Sequence, residues 1–167
     1  MSTAIPRPQL VCSLKKNGFA ARCAGVSWSE VISATVTAEI HSFLETISQA
    51  IAADHDLEAR LTHALQVGHR VIDEHHLLQQ ILSTEPEALL KELAANGPVM
   101  MAELRASLVA DLRAAGLRPG VDADEAADYV ARLFLSHIGS QGRWDLDDAE
   151  STTRLVRTQF LAGIVGP

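Results

Sequence analysis

Residues Asp56–Pro86 read DLEARLTHALQVGHRVIDEHHLLQQILSTEP, and their periodicity sets the fold class. Leu57, Leu61, Ala64, Leu65, Gly68, Val71, Ile72 and His75 fall within one stripe of a 3.6-residue helix, and Glu58, Arg60, His63, Gln66 and Arg70 take the other side. Asp56 stands where a helix cap is needed. Gly68 sits mid-stripe, where glycine costs about 1 kcal/mol of helix propensity relative to alanine. Something therefore approaches the backbone there, either a facing helix or a bound molecule. A shorter helix, Leu77 to Leu82, follows and ends at Glu85-Pro86, because the residue before a proline is pushed out of the helical region. A long amphipathic helix abutting a short one gives a bent wall, and such a wall can enclose a cavity.

The whole chain is consistent with that reading. Its 167 residues make one domain of ordinary length, with 47% apolar residues and only 4% aromatics. Alanine and leucine dominate, β-branched runs are absent and no strand alternation extends beyond a few residues, so the expected class is all-α. No run of 18 apolar residues exists to span a membrane, and no hydrophobic stretch behind a basic start marks a secretory signal. Cys12 and Cys23 lie in neither a C-x-x-C nor a Cys/His metal spacing, which fits two free thiols in a reducing cytoplasm.

Charge divides the chain in two. Residues 1–27 hold Arg7, Lys15, Lys16 and Arg22 and no acid, a balance of +4; the other 140 residues carry 10 bases against 21 acids, a net −11, which together give the formal −7. An acidic body does not attract nucleic acid. Any DNA contact therefore falls to the basic segment, with Lys15, Lys16 and Arg22 as its candidates; a solvated basic tail is the plainer reading. The expected organisation is an irregular basic segment over 1–27, broken by Pro6, Pro8, Gly18 and Gly25, and a helical domain over 28–167.

Within that domain Ser27-Trp28-Ser29-Glu30 matches the S-x-x-E capping box and predicts a helix from Trp28 to about Ala53, with Val36, Ile40, Phe43, Leu44, Ile47, Ala50 and Ile51 as its apolar stripe. After Pro86 a short helix, Ala88 to Ala95, is expected to stop at Asn96-Gly97. Pro98 then opens a further helix to Ala115, closed by Gly116. Asp122 to Glu125 starts a helix over Ala123–Ile138 that is apolar on nearly all sides, and Asp147 with Glu150 starts the last one, Asp148 to Ile164. Because both of these final helices are two-faced, one face can serve the core and the other a second copy. Val130, Phe134, Leu135, Leu155 and Phe160 are the expected interface residues of a twofold four-helix homodimer, and a monomer with a buried final hairpin is the alternative.

The stretch VIDEHHLLQQILSTEPEALL (71–90), the pair LRASLVADLRAAGLRPGVDADEAADYVARLFLSHI (104–138) and the DLDDAE start of the last helix (145–150) together resemble the effector-binding and dimerisation region of bacterial TetR-family transcriptional regulators. The resemblance covers about Val36 to Val165 and rests on helix lengths and short motifs rather than on a catalytic signature. It implies a bundle of about six to seven helices whose last two form the dimer interface. Upstream, Asn17-Gly18-Phe19 and Ala20-Ala-Arg-Cys-Ala-Gly-Val-Ser27 are similar to the end of the first helix and the turn of that family's helix-turn-helix. The threonine, tyrosine, phenylalanine and lysine expected of the recognition helix and its exit are missing after Ser27. A truncated, internally deleted or frame-shifted DNA-binding domain is inferred, in a transcriptional regulator of the repressor type whose DNA contact is weak or lost.

What the resemblance implies for the body is a small apolar or amphipathic effector lodged between the helices. The stripes beside Gly68 supply the candidate contacts: Phe43, Leu61, Leu65, Gly68, Ile72, Met101, Leu104 and Tyr129, with Met100 and Met101 as adaptable packers. His75 and His137 lie near the centres of apolar stripes, as hydrogen-bonded core histidines or as effector contacts. His69, Asp73 and His76 share a helix flank at i, i+4, i+7, but aspartate is a weak third ligand and no fourth is fixed, so no metal and no cofactor are expected. Nothing matches G-x-S-x-G, H-E-x-x-H or a glycine-rich phosphate loop, so an enzyme is not expected either. Two functions follow: a regulator of the TetR type, or its remnant, that binds a small molecule, or a helical interaction protein that forms mixed dimers with full-length relatives.

Overall fold

A computed structural model describes residues 28–84, 86–139 and 142–166. The described chain is helical throughout: α1 (Trp28–Ala50), α2 (Leu57–Glu74), α3 (His76–Thr84), α4 (Pro86–Ala115), α5 (Ala123–Ile138) and α6 (Ala149–Leu155), the last continued by a π-helical turn, Val156–Phe160. Among the described residues the only extended pairing is an isolated bridge between Leu117 and Val165. No described helix is long and apolar enough to cross a membrane.

Helix α2 is the hub. It packs against every other helix and against the π turn, while α5 lies mainly along α4. The start of α2 is fixed locally, since Asp56 Oδ1 accepts from the Ala59 N–H at 2.8 Å, satisfying one of the four orphan donors of a helix start. Its apolar stripe then enters the core, with Leu57, Leu61, Ala64, Leu65 and Gly68 all buried. A Cβ built on Gly68 would stand 3.3 Å from Ile138 Cγ2 and Phe134 Cζ and 3.4 Å from Ile47 Cδ1. The mid-stripe glycine thus marks the close approach of facing helices, α5 and α1. Around this crossing Leu65, Leu112, Val130, Leu155, Val156 and Phe160 are fully enclosed, each large apolar side chain contributing about 1.5–3 kcal/mol by leaving water.

The Ser27 cap expected for the first helix lies outside the described residues; the caps of α5 and α6 are set by aspartates. Asp122 accepts from the Asp124 and Glu125 N–H groups at the start of α5. Asp148, one residue after the expected Asp147, does so for Glu150 and Ser151 at the start of α6. Gly116, at φ +83°, ends α4, and the loop after it holds the chain's far end: Arg118 N–H donates to Ile164 O at 2.9 Å and Gly166 N–H to Gly116 O at 3.1 Å.

Two expectations about helix continuity are corrected. The Asn96-Gly97-Pro98 stop does not stop anything: α4 runs unbroken from Pro86 to Ala115 with Pro98 inside it. An interior proline costs a helix about 3 kcal/mol, so tertiary contacts must offset it. Asn96, nearly buried, accepts from Thr37 Oγ1 of α1 at 3.1 Å, and α4 packs against α1 and α3 as well as α5. The last helix is also not one regular α-helix to Ile164. After Leu155 the pitch widens, with Leu161 N–H reaching back five residues to Val156 O at 3.0 Å, as in a π-bulge. That change of phase lets the neighbours Leu155 and Val156 both be fully buried together with Phe160.

One polar group in this core has no partner: the buried Thr62 Oγ1 makes no hydrogen bond among the described residues. Two substitutions in α2 should therefore act in opposite directions in urea unfolding. Gly68→Val, which forces apart three packed side chains, should lower stability by about 2 kcal/mol. Thr62→Val, isosteric but without the stranded hydroxyl, should raise it by about 1 kcal/mol.

Candidate functional site

The clearest candidate site lies where α1, α2 and α4 meet. A groove of about 360 Å³ opens between them, floored by Ile47, Leu57, Leu61, Ala64, Leu104 and Phe134 and flanked by Leu44, Ile51 and Leu108. Its α4 wall repeats every turn as Glu103-Leu104, Ser107-Leu108 and Asp111, a pattern that keeps one edge apolar inside and polar outside. Glu103 to Asp111 spans eight residues, about 12 Å of helix. The volume falls at the small end of ligand pockets, which run from about 300 to 1,000 Å³.

Ion pairs frame the mouth. At one end His41 Nε2 of α1 meets Glu103 Oε1 of α4 at 3.0 Å, while His41 Nδ1 bonds to Thr37 O at 2.8 Å. At the other end Arg60 Nε donates to Asp111 Oδ2 at 3.1 Å. The same guanidinium donates through Nη1 to Ile51 O and Asp54 O, both at 3.3 Å. Arg60 of α2 thus binds two carbonyls of the loop that follows α1 and a carboxylate of α4, tying the α1–α2 connection to α4. Nearby, His63 Nδ1 pairs with Asp54 Oδ2 at 3.0 Å. Glu45, also on the rim, pairs with no cation among the described residues; its Oε1 accepts from Gln49 Nε2 at 3.1 Å.

Of the ten residues expected to contact an effector, Leu61 and Leu104 line this groove. Leu65 and Gly68 are buried in the core behind it, and Phe43 and Ile72 are half-buried and packed against that core. Met101 is half-buried on α4 outside the lining. Tyr129 is 47% exposed, and its hydroxyl donates to Gln159 O at 3.1 Å. The His137 ring rests against Phe160, with centroids 5.7 Å apart. His75 forms the α2–α3 joint: its Nδ1 accepts from the Leu78 N–H at 3.1 Å, which leaves the Nε2 proton facing Glu39 Oε2 at 3.5 Å. It acts as a cap and stands apart from the groove.

The residues expected at a dimer interface fall differently again. Val130, Phe134, Leu155 and Phe160 are at most 4% exposed within this single chain; they fill its own core, and Phe134 also floors the groove. Leu135 is half-buried and packed against the same core. Lys15, Lys16 and Arg22, like Cys12 and Cys23, lie outside the described residues. No group of three potential metal ligands occurs among the described residues, and His69, Asp73 and His76 do not form one.

Sequence reasoning missed the rim. Arg60 reads only as the polar side of an amphipathic helix, nothing local singles out His41, Glu103 or Asp111, and the fold alone brings together Arg60 and Asp111, 51 residues apart. A more open cleft elsewhere is lined by Arg143, Trp144, Arg154, Thr158 and Gln159, with both guanidiniums over the indole at 4.9 and 5.4 Å. Trp144 is its one large apolar lining residue. Comparison with models of known families, with characterised proteins and with solved structures finds no match.

Arg60 offers a direct check of the groove's frame. Arg60→Lys keeps the charge but loses the planar fork that serves Asp111 and two carbonyls at once. It should lower stability by about 1 kcal/mol in chemical denaturation. It should also speed proteolysis near Ile51–Asp54.

Proposed function

We propose that the chain is a ligand-sensing helical domain of the kind that forms the effector-binding body of TetR-type regulators, and that its effector is a small apolar or amphipathic molecule held in the groove between α1, α2 and α4. The observation that carries this reading is that the groove between α1, α2 and α4 has an apolar floor with a polar, ion-paired mouth. Such a site buries a ligand's apolar part and leaves water to its polar end.

The geometry also suggests how binding would be transmitted. Ile47 and Phe134 floor the groove and also meet at the Gly68 crossing. A ligand wedged against them would bear on the contact between α1, α2 and α5. An effector shifts an equilibrium only by its difference in affinity for two arrangements, and this crossing is where two arrangements would differ. In a regulator, α1 would carry the signal towards the N-terminal segment. Dimerisation is part of the proposal through surface other than Val130, Phe134, Leu155 and Phe160, and sequence-specific DNA binding is not part of it.

Thermal-shift screening with lipophilic compounds tests the reading. A ligand at one hundred times its Kd stabilises by about 2.7 kcal/mol, which for a domain of this size corresponds to a Tm rise of roughly 5–10 °C. Wild-type protein should show such a rise with at least one compound. Leu104→Trp, which fills the groove from its half-buried α4 wall, should fold and show none. Equal shifts in both proteins would contradict the proposal.

A further inference from the structure

We infer that the groove selects a cationic amphiphile: an apolar chain carrying an amine or quaternary ammonium group. The inference rests on the proposal that the groove binds ligand, and it follows from the charges at the mouth. Three carboxylates, Glu45, Glu103 and Asp111, face the opening against one guanidinium, Arg60. The rim is thus net −2 with His41 neutral and −1 with His41 charged.

The cations there are already engaged. Arg60 spends its donors on Asp111, Ile51 O and Asp54 O, so an anionic head would have to displace a carboxylate and two carbonyls to reach it. His41 is held on both ring nitrogens, by Thr37 O and Glu103. Glu45, in contrast, is exposed, and among the described residues its side chain meets only the Gln49 amide, at 3.1 Å. It sits on α1 one turn beyond His41, above the apolar floor, where a positively charged head could rest while its chain lies along the roughly 12 Å between Glu103 and Asp111. A neutral head would gain nothing from the rim, and an anionic one would meet repulsion. The net −11 of the body beyond residue 27 adds the same preference at longer range.

Isothermal titration of the full-length protein at physiological ionic strength, with decyltrimethylammonium, decyl sulfate and 1-decanol below micellar concentrations, tests the inference. The ammonium probe should bind at least ten-fold more tightly than the sulfate, with decanol between them. Glu45→Gln should weaken the ammonium probe about three- to ten-fold and leave decanol unchanged, and Leu104→Trp should abolish all binding. Equal or reversed ranking of the three heads, with Leu104→Trp still abolishing binding, overturns the head-group selectivity and leaves the groove standing. Ammonium binding that survives Leu104→Trp unchanged, or no binding by any probe, overturns both.

Discussion

The approach of α5 and α1 onto the backbone of α2 at Gly68 is the constraint on which this structure depends. A side chain at that position would meet Ile138, Phe134 and Ile47 at 3.3–3.4 Å, so the crossing exists in its present form because nothing is there. The cost of glycine in a helix, about 1 kcal/mol, is small beside the burial it permits. Leu65, Val130 and Phe134 are enclosed around the crossing, and α2 reaches every other helix of the described chain.

The groove follows from the same arrangement. Between α1 and α4, over the N-terminal half of α2, the apolar floor is open on one side, and the chain lines its edges with charge instead of bulk. Arg60 does most of this, joining Asp111 of α4 to two carbonyls of the loop between α1 and α2. Partly exposed pairs of this kind contribute modestly to stability. Their effect here is on geometry, since they fix the spacing of three helices around the half-buried Leu104 and Leu108. The floor residues Ile47 and Phe134 therefore belong to the core and to the site at once.

Features set by neighbouring residues were legible in the sequence, and features set by distant ones were not. The caps Asp56 and Asp122, the stop at Gly116 and the full extent of α5 all depend on side chains within a turn of the boundary they define. The stripe of α2 identified both the helix and the special position of Gly68. The break expected at Asn96-Gly97-Pro98 was a sound local signal that tertiary contacts overrode, through Thr37 and the packing of α1 and α3 on α4. The π turn at Val156–Phe160 has no sequence marker of its own. At the site, the apolar members Leu61 and Leu104 could be read from periodicity, whereas the rim could not. A charged residue on an outer face looks the same whether it meets water or a partner on another helix. Phe134 shows the converse: on a nearly all-apolar helix its spacing does not say which surface covers it, and within the single chain it packs at Gly68 of α2.

If α2 is the hub, its central amides should be the last to exchange. Native-state hydrogen exchange measures this directly. The amides from Leu65 to His69 should exchange only with global unfolding, and more slowly than those of α3 and of α4 before Gly97. Exchange of those α2 amides by local opening, while α5 stays protected, would contradict the account.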